Sequence, residues 1–319
     1  MPRNGSGVYS KPAGTTAVPN TTIESAKFNQ VVDDIAQDLN YPRPLTAGGT
    51  GATSAANARA NLGIPDSVVT GAAFRGGLSG LTLSNNATDP TNDLDIAAGA
   101  AASDGTIPAV MALNAALTKR LDAAWAVGSG NGGLDTGSIA NGTYHIWLIQ
   151  RSDTGVVDAL FSASSSLPTM PANYDRKRRI GSIIRTAGAI RGFYQSGDRF
   201  ELSPLAVDVA AVNPGTTSVL RTLTVPSGIV VTANVTLQAE NSGTGVFFAA
   251  GLFCPQVTPL PSMLQIKNIR NSAGSVFDGI VPVSVVTNNL SQIYSFCAAS
   301  DASCTLTIRT LGWIDTRGQ

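Results

Sequence analysis

Val231-Thr232-Ala233-Asn234-Val235-Thr236-Leu237-Gln238-Ala239 alternates apolar and polar residues without a break. Successive side chains of a strand point to opposite faces, so this spacing predicts a strand with one buried and one wet face. Ser218–Val225 reads as the strand before it, with Pro226-Ser227-Gly228 as the turn between them. Downstream, Val281, Val283 and Val285 alternate in the same way, as do Cys304, Leu306 and Ile308. Short strands with this patterning across residues 203–319 predict an immunoglobulin-like or jelly-roll sandwich.

Upstream, Thr143–Arg151 (Thr-Tyr-His-Ile-Trp-Leu-Ile-Gln-Arg) is apolar on both faces, which places it at the centre of a layered structure. Ser152-Asp153-Thr154-Gly155 forms a turn and Val156–Ser162 returns. Arg179–Thr186 and Ile190–Ser196 flank Ala187-Gly188-Ala189, and Gly197-Asp198 leads into Arg199–Leu202. Strands joined by Gly- and Asp-containing turns predict a second antiparallel β-sandwich-like domain over residues 66–202. Thr106–Trp125 fits a helix through Val110, Leu113, Leu117 and Leu121, and equally a strand through Leu117, Lys119 and Leu121.

The first 65 residues differ in kind. Pro2, Gly5, Gly7, Pro12, Gly14 and Pro19 punctuate a stretch without apolar periodicity. Thr21-Thr22-Ile23-Glu24 then reads as a capping box. Phe28, Val32, Ile35 and Leu39 follow at spacings of four, three and four, a heptad-type seam. Such a stripe serves either the helix's own domain or a contact between chains; the second use makes these four residues a subunit contact. The helix must end before Tyr41-Pro42-Arg43-Pro44, because each proline disfavours helix in the residue before it. Gly48-Gly49-Thr50-Gly51 reads as a flexible joint and not a phosphate loop, since no Lys-Ser/Thr follows the glycines. A short helix from Thr53 to Asn61, capped by Thr53 and ended by Gly63, completes this region.

Gly48-Gly49-Thr50-Gly51-Ala52-Thr53, followed by Ala55, Ala58-Arg59 and Asn61-Leu62-Gly63, resembles the segment near the N-termini of bacteriophage tail-fibre proteins. Asn92–Gly99, Lys119–Trp125, Tyr144–Ile149 and Arg178–Ile183, in that order, look like a β domain common in phage tail and prophage fibres. The resemblance implies a homotrimeric structural virion protein, assembled in the host cytoplasm and exposed on the particle. Its N-terminus would dock on tail, baseplate or neck proteins, and its C-terminal domain would serve host adsorption, with bacterial surface polysaccharide as a partner. A neck, collar or head fibre without receptor role uses the same modules, and a surface-polysaccharide depolymerase is the competing reading from another class. The domain carries no catalytic residue set to transfer, so no enzyme activity and no cofactor are expected.

Composition is consistent with an assembly protein. Charged residues make up 13% of the chain, against about 25% in an average globular protein. Lys plus Arg equals Asp plus Glu at 21 each, so the basic excess of a duplex-binding protein is missing and no nucleic-acid partner is expected. No apolar run is long enough to span a bilayer, and no apolar signal core follows Arg3, so neither membrane insertion nor signal-peptide export is expected.

Chemistry-bearing residues are sparse. His145 is the one histidine and lies in an apolar strand, which suits a structural role better than a ligand or base. Asp89, Asp93 and Asp95 lack the central Gly and distal Glu of an EF-hand, so turn and strand-edge roles are expected and no metal site. Arg176-Lys177-Arg178-Arg179 could grip acidic polysaccharide, or could be a solvated strand start or arginines paired across a subunit boundary. Gly76-Gly77-Leu78-Ser79-Gly80 has the wrong spacing for a nucleophile elbow. If strands 293–298 and 303–308 form a hairpin turning at Ser300-Asp301, Cys297 and Cys304 face each other across it. Receptor contact is expected in polar loops, with Asn241, Ser242, Thr244, Asn271, Ser272, Asn288 and Asn289 as candidates.

Overall fold

The computed structural model describes residues 10–40, 43, 45, 49–64, 76–106, 108–243, 247–258, 264–270, 277–300 and 302–317. They belong to two compact units, residues 1–73 and residues 74–319. The first nine residues and Gly48 of the expected joint lie outside the described residues.

The first unit holds two helices, α1 (Ser25–Asn40) and α2 (Ala55–Asn61). The capping box is not formed. Thr21 closes a turn instead, its N–H and hydroxyl both donating to the Val18 carbonyl. With that N–H already satisfied, the Glu24 carboxylate pairs with Lys27 at 3.4 Å while its carbonyl accepts the Phe28 N–H. Ser54, not Thr53, caps α2: its hydroxyl accepts the Asn57 N–H at 3.2 Å. Gly63 takes the positive φ expected of it just past the helix end.

All described elements of the second unit are strands. In chain order they are β1 (Leu78–Gly80), β2 (Leu83–Asn85), β3 (Asp93–Ile96), β4 (Gly99–Ala102), β5 (Val110–Leu113), β6 (Leu117–Ala124) and β7 (Asn131–Leu134). Next come β8 (Gly142–Gln150), β9 (Val157–Ser162), β10 (Arg176–Thr186), β11 (Ala189–Ile190), β12 (Phe193–Ser196) and β13 (Arg199–Val212). The series ends with β14 (Val219–Thr222), β15 (Thr232–Asn241), β16 (Phe247–Phe253), β17 (Ile266–Arg270), β18 (Phe277–Val286), β19 (Gln292–Ala299) and β20 (Cys304–Ile314). The ambiguous stretch 106–125 is thus two strands, β5 and β6, with Leu117, Lys119 and Leu121 all facing inward.

An eight-stranded sheet runs β11-β10-β8-β9-β7-β6-β3-β2, beside a three-stranded sheet β1-β4-β5. The larger sheet nearly closes on itself. The Ile190 N–H donates to the Thr91 carbonyl at 2.9 Å, and the Asn85 side chain bridges to the Arg191 carbonyl and the Phe193 N–H. β8 lies deep in this sheet, buried on both faces from Tyr144 onward, as its sequence indicates. The sheet is not purely antiparallel: β7 runs parallel to both β6 and β9.

That parallel return is short, and a buried ion pair holds it. The Lys119 ammonium, wholly buried, lies 3.2 Å from the Asp158 carboxylate and donates to the carbonyls of Ala126 and Gly128. Asp158 in turn accepts the Gly128 N–H at 2.7 Å. Gly128 and Gly130, at φ +99° and +77°, supply the left-handed backbone the return requires. Burial pushes the Lys119 pKa below its ordinary value, with Asp158 opposing.

The remaining strands form a five-stranded sheet, β12-β13-β20-β15-β18, and a four-stranded sheet, β14-β19-β16-β17. Their inner residues share one core: Val235, Leu237 and Ile308 from the first meet Phe248, Leu252 and Ile293 from the second. β15 carries the alternation read from the sequence, with Ala233, Val235, Leu237 and Ala239 fully buried. The same core continues into the eight-stranded sheet through Phe200, Ile146 and Ile183. The boundary expected at 202/203 falls inside β13, which pairs with β20 along much of its length.

Removing one member of a buried pair strands the other, at a cost of about 3–5 kcal/mol. Lys119→Ala should therefore lower the unfolding free energy by roughly that amount, read from urea denaturation. Asp158→Asn should cost less, because the amide oxygen still accepts from Gly128. The double variant Lys119→Met, Asp158→Leu should fall well short of the sum, since the two groups act as a unit.

Candidate functional site

The seam residues of α1 lie on its surface. Phe28, Val32, Ile35 and Leu39 are 60%, 46%, 43% and 69% exposed in the single chain, while Asp38 is the buried residue of the helix. A helix normally turns its apolar stripe inward and its carboxylates outward; α1 is exposed nearly all round, Asp33 as much as the stripe, with Val31 and Asp34 half-buried.

The candidate receptor loops fare differently from one another. Asn241 is fully buried at the end of β15, where its side chain accepts the Gly243 N–H and the Ser303 hydroxyl, so it is not a surface contact. Ser242 is exposed, with its N–H and hydroxyl directed at the Ser303 carbonyl. Asn288 is half-buried and shapes its own turn, its Oδ1 accepting the N–H groups of Leu290 and Gln292. Asn289 is exposed. Thr244, Asn271 and Ser272 lie outside the described residues.

Cys297 and Cys304 do not face each other across a hairpin. β19 and β20 belong to different sheets, where Cys297 pairs with Ala250 and Cys304 with Asn241. The register of β20 is set by β15, whose buried positions Leu237 and Ala239 lie opposite Ile308 and Leu306. The chain therefore passes from one sheet to the other between β19 and β20. Both thiols are reduced and buried. Burial, with Cys304 nearby adding to it, pushes the Cys297 thiol up to about 12, so it is unreactive at neutral pH.

The cationic run is absorbed within the chain. Arg176 donates to Gln150, and Lys177 pairs with Asp104 while lying over the Trp147 ring. Arg178 and Arg179 are buried. Arg179 makes a two-pronged contact with Asp315 at 2.5 and 2.7 Å and also donates to the Ser182 hydroxyl. The aspartates have local partners as well. Asp89 caps the N–H groups of Thr91 and Asn92, and Asp95 accepts from Asn86 and Thr118. Burial, then the neighbouring Asp89, raises the Asp93 pKa. Among the described residues no group of three His, Cys, Asp or Glu is placed to hold a metal ion.

His145 belongs to this network. It is buried, and its Nδ1 lies 2.8 Å from the Ser182 hydroxyl. Burial, helped by the Arg179 guanidinium, lowers its pKa to about 4, with Asp315 and the Ser227 backbone opposing. The Ser182 hydroxyl accepts a hydrogen bond from Arg179 and can donate one to a neutral imidazole. The trio forms a buried hydrogen-bonded network. The partners of His145 come from residues 182, 179 and 315, which its local sequence does not reveal.

No family model and no curated protein matches the chain. Among the described residues no helix is long and apolar enough to cross a membrane.

The depressed pKa of His145 has a definite pH consequence. Above pH 6.5 the imidazole is neutral both folded and unfolded, and contributes nothing to pH dependence. As pH falls from 6.5 towards 4, only the unfolded chain takes the proton, so stability drops by up to about 3 kcal/mol across that window. His145→Gln should flatten the melting temperature between pH 7 and pH 4.5 relative to the parent chain, even if it lowers the neutral-pH value.

Proposed function

We propose that this chain is a non-enzymatic structural subunit of a bacteriophage fibre, a homotrimer whose N-terminal unit docks on the virion and whose β-built unit is displayed towards the host surface. The observation that carries this reading is the outward apolar seam of α1. Fully burying a side chain such as Phe, Val, Ile or Leu stabilises by about 1.5–3 kcal/mol, and four of them at heptad spacing stand exposed in the single chain. A second and third copy of the same helix offer the complementary surface, because a seam of this spacing packs against itself. A seam this short holds only when the bodies beyond it also associate, which a fibre supplies.

Two features support the virion assignment beside it: the ordered tail-fibre phrases of the sequence, and a β unit whose strong charges are spent on internal pairs. The mechanism is geometric. Several rigid bodies on one attachment point raise the effective concentration of weak surface contacts without any new contact chemistry. Both the two-sandwich description of the β unit and the trimer belong to this proposal.

Light scattering on the purified chain should give three times the monomer mass. Phe28→Asp with Ile35→Asp should loosen that association, since a carboxylate buried without a partner costs several kcal/mol or more. Antibody against the β unit should decorate intact particles in electron micrographs. A stable monomer would remove the trimer, and unlabelled particles carrying no copy of the chain would remove the virion role.

A further inference from the structure

An outermost strand leaves one side of its backbone unpaired, and that row of donors and acceptors is a template for a strand from another chain. Short edges limit the hazard. Among the described residues, β1, β2, β5, β11, β12, β14 and β17 end their sheets and run only two to five residues. β18 is the exception, an edge strand of ten residues.

Which backbone groups of β18 face outward follows from its pairing. The Thr287 N–H donates to the Val231 carbonyl at 2.9 Å, which makes 231 and 287 a hydrogen-bonded pair. From there the register runs without a shift from Thr232 opposite Val286 to Asn241 opposite Phe277. Hydrogen-bonded and open pairs alternate along an antiparallel ladder. Val285, Val283 and Val281 therefore turn their backbone groups to β15, while Val286, Ser284, Pro282 and Ile280 turn theirs to the open side. Pro282 thus stands at an outward position, where its missing N–H deprives β15 of no bond. It is the third of the five outward residues from 278 to 286, the middle of the row.

No charge guards this edge between Gly279 and Val286. Ile280 and Val286 are 56% and 41% exposed, with Pro282 and Ser284 exposed between them. On the other face, buried Val283 and Val285 anchor the strand in its sheet. A long, neutral, largely apolar edge is the kind that recruits a strand of its own sequence. A second β18, run antiparallel about a two-fold axis, would place Ile280 of one copy opposite Ser284 of the other. Pro282 would then meet Pro282 at the axis, at a position where each strand should donate to the other. Two proline rings stand there in place of two N–H groups, and the carbonyls facing them stay unpaired.

We propose that the β18 edge is a pairing surface for a second copy of this chain and that Pro282 holds it closed. For copies already joined through α1, a two-fold contact at this edge would link one assembly to the next without closure. That consequence rests on the fibre reading; the closed edge does not.

The experiment is sedimentation velocity on the full chain and on Pro282→Thr over a wide range of concentration. The mass of the parent should stay constant, whether it is one chain or three. Pro282→Thr should climb with concentration to about twice the parent mass or more. Its melting temperature at low concentration should hold within a few degrees, because the restored N–H points away from β15. Pro282→Ser is the independent second variant and should act in the same direction. Adding Ile280→Lys to Pro282→Thr should return the mass to that of the parent, since a lysine on the edge opposes pairing. The climb should persist in the Phe28→Asp, Ile35→Asp background, which separates this contact from the one at α1. The proposal is overturned if both folded Pro282 variants keep the parent mass at every concentration. It is equally overturned if Ile280→Lys fails to reverse the climb.

Discussion

Arg179 and Asp315 form the contact on which the β unit depends. The guanidinium comes from β10 in the near-closed sheet and the carboxylate from the residue after β20 in the five-stranded sheet, and both are buried. Neither charge can be left alone there, because an uncompensated buried ion costs several kcal/mol. The pair therefore fixes the two sheets against each other. Around it, Asp315 also accepts the Arg317 N–H, and Arg317 pairs with Asp198 in the turn before β13. The Pro226-Ser227-Gly228 turn adds a further tie, with Ser227 on Thr143 and the Ser165 hydroxyl donating to the Gly228 carbonyl. These links explain why residues 74–319 form one compact unit although their strands suggest two.

Much of the strand content was legible because burial imposes a period. Thr232–Asn241 and Gly142–Gln150 appear as strands in the places and with the burial their residues indicate. What escaped was set by partners far away in sequence. The alternation of Leu117, Lys119 and Leu121 cannot reveal that the middle position is a buried cation, since its anion comes from residue 158. The parallel placement of β7, between the strands that carry Lys119 and Asp158, is likewise set by residues far apart in sequence. The Cys297–Cys304 hairpin failed because local turn geometry was allowed to decide a register that β15 imposes. The Thr21 capping box failed because the Thr21 N–H, which the Glu24 carboxylate would have accepted, donates to the Val18 carbonyl instead.

The functional surfaces divide along the same line. The apolar stripe of α1 was readable as a pattern because four residues at helical spacing need no tertiary information to be recognised, while its use as a subunit contact belongs to the proposal. Polar loop composition was a mixed guide to exposure: Ser242 and Asn289 are exposed, whereas Asn241 is buried and Asn288 serves its own turn. The edge of β18 meets the same limit. Pro282 is visible in the sequence, but the side to which its nitrogen points follows from the pairing with β15.

The position of β20 has a consequence for how the chain comes to be folded. It lies inside its sheet, between β13 and β15, although it is made after both of them. During synthesis, which proceeds from the N-terminal end, β13 and β15 therefore emerge long before the strand that joins them. Until then each presents an open row of backbone donors and acceptors, the kind of edge that recruits other chains. Closing the sheet also brings together residues far apart in sequence, which slows the step. The body cannot be completed strand by strand as it leaves the ribosome. Its consolidation waits for the strand that fills the gap, and crowding of unfinished copies is the hazard of that interval.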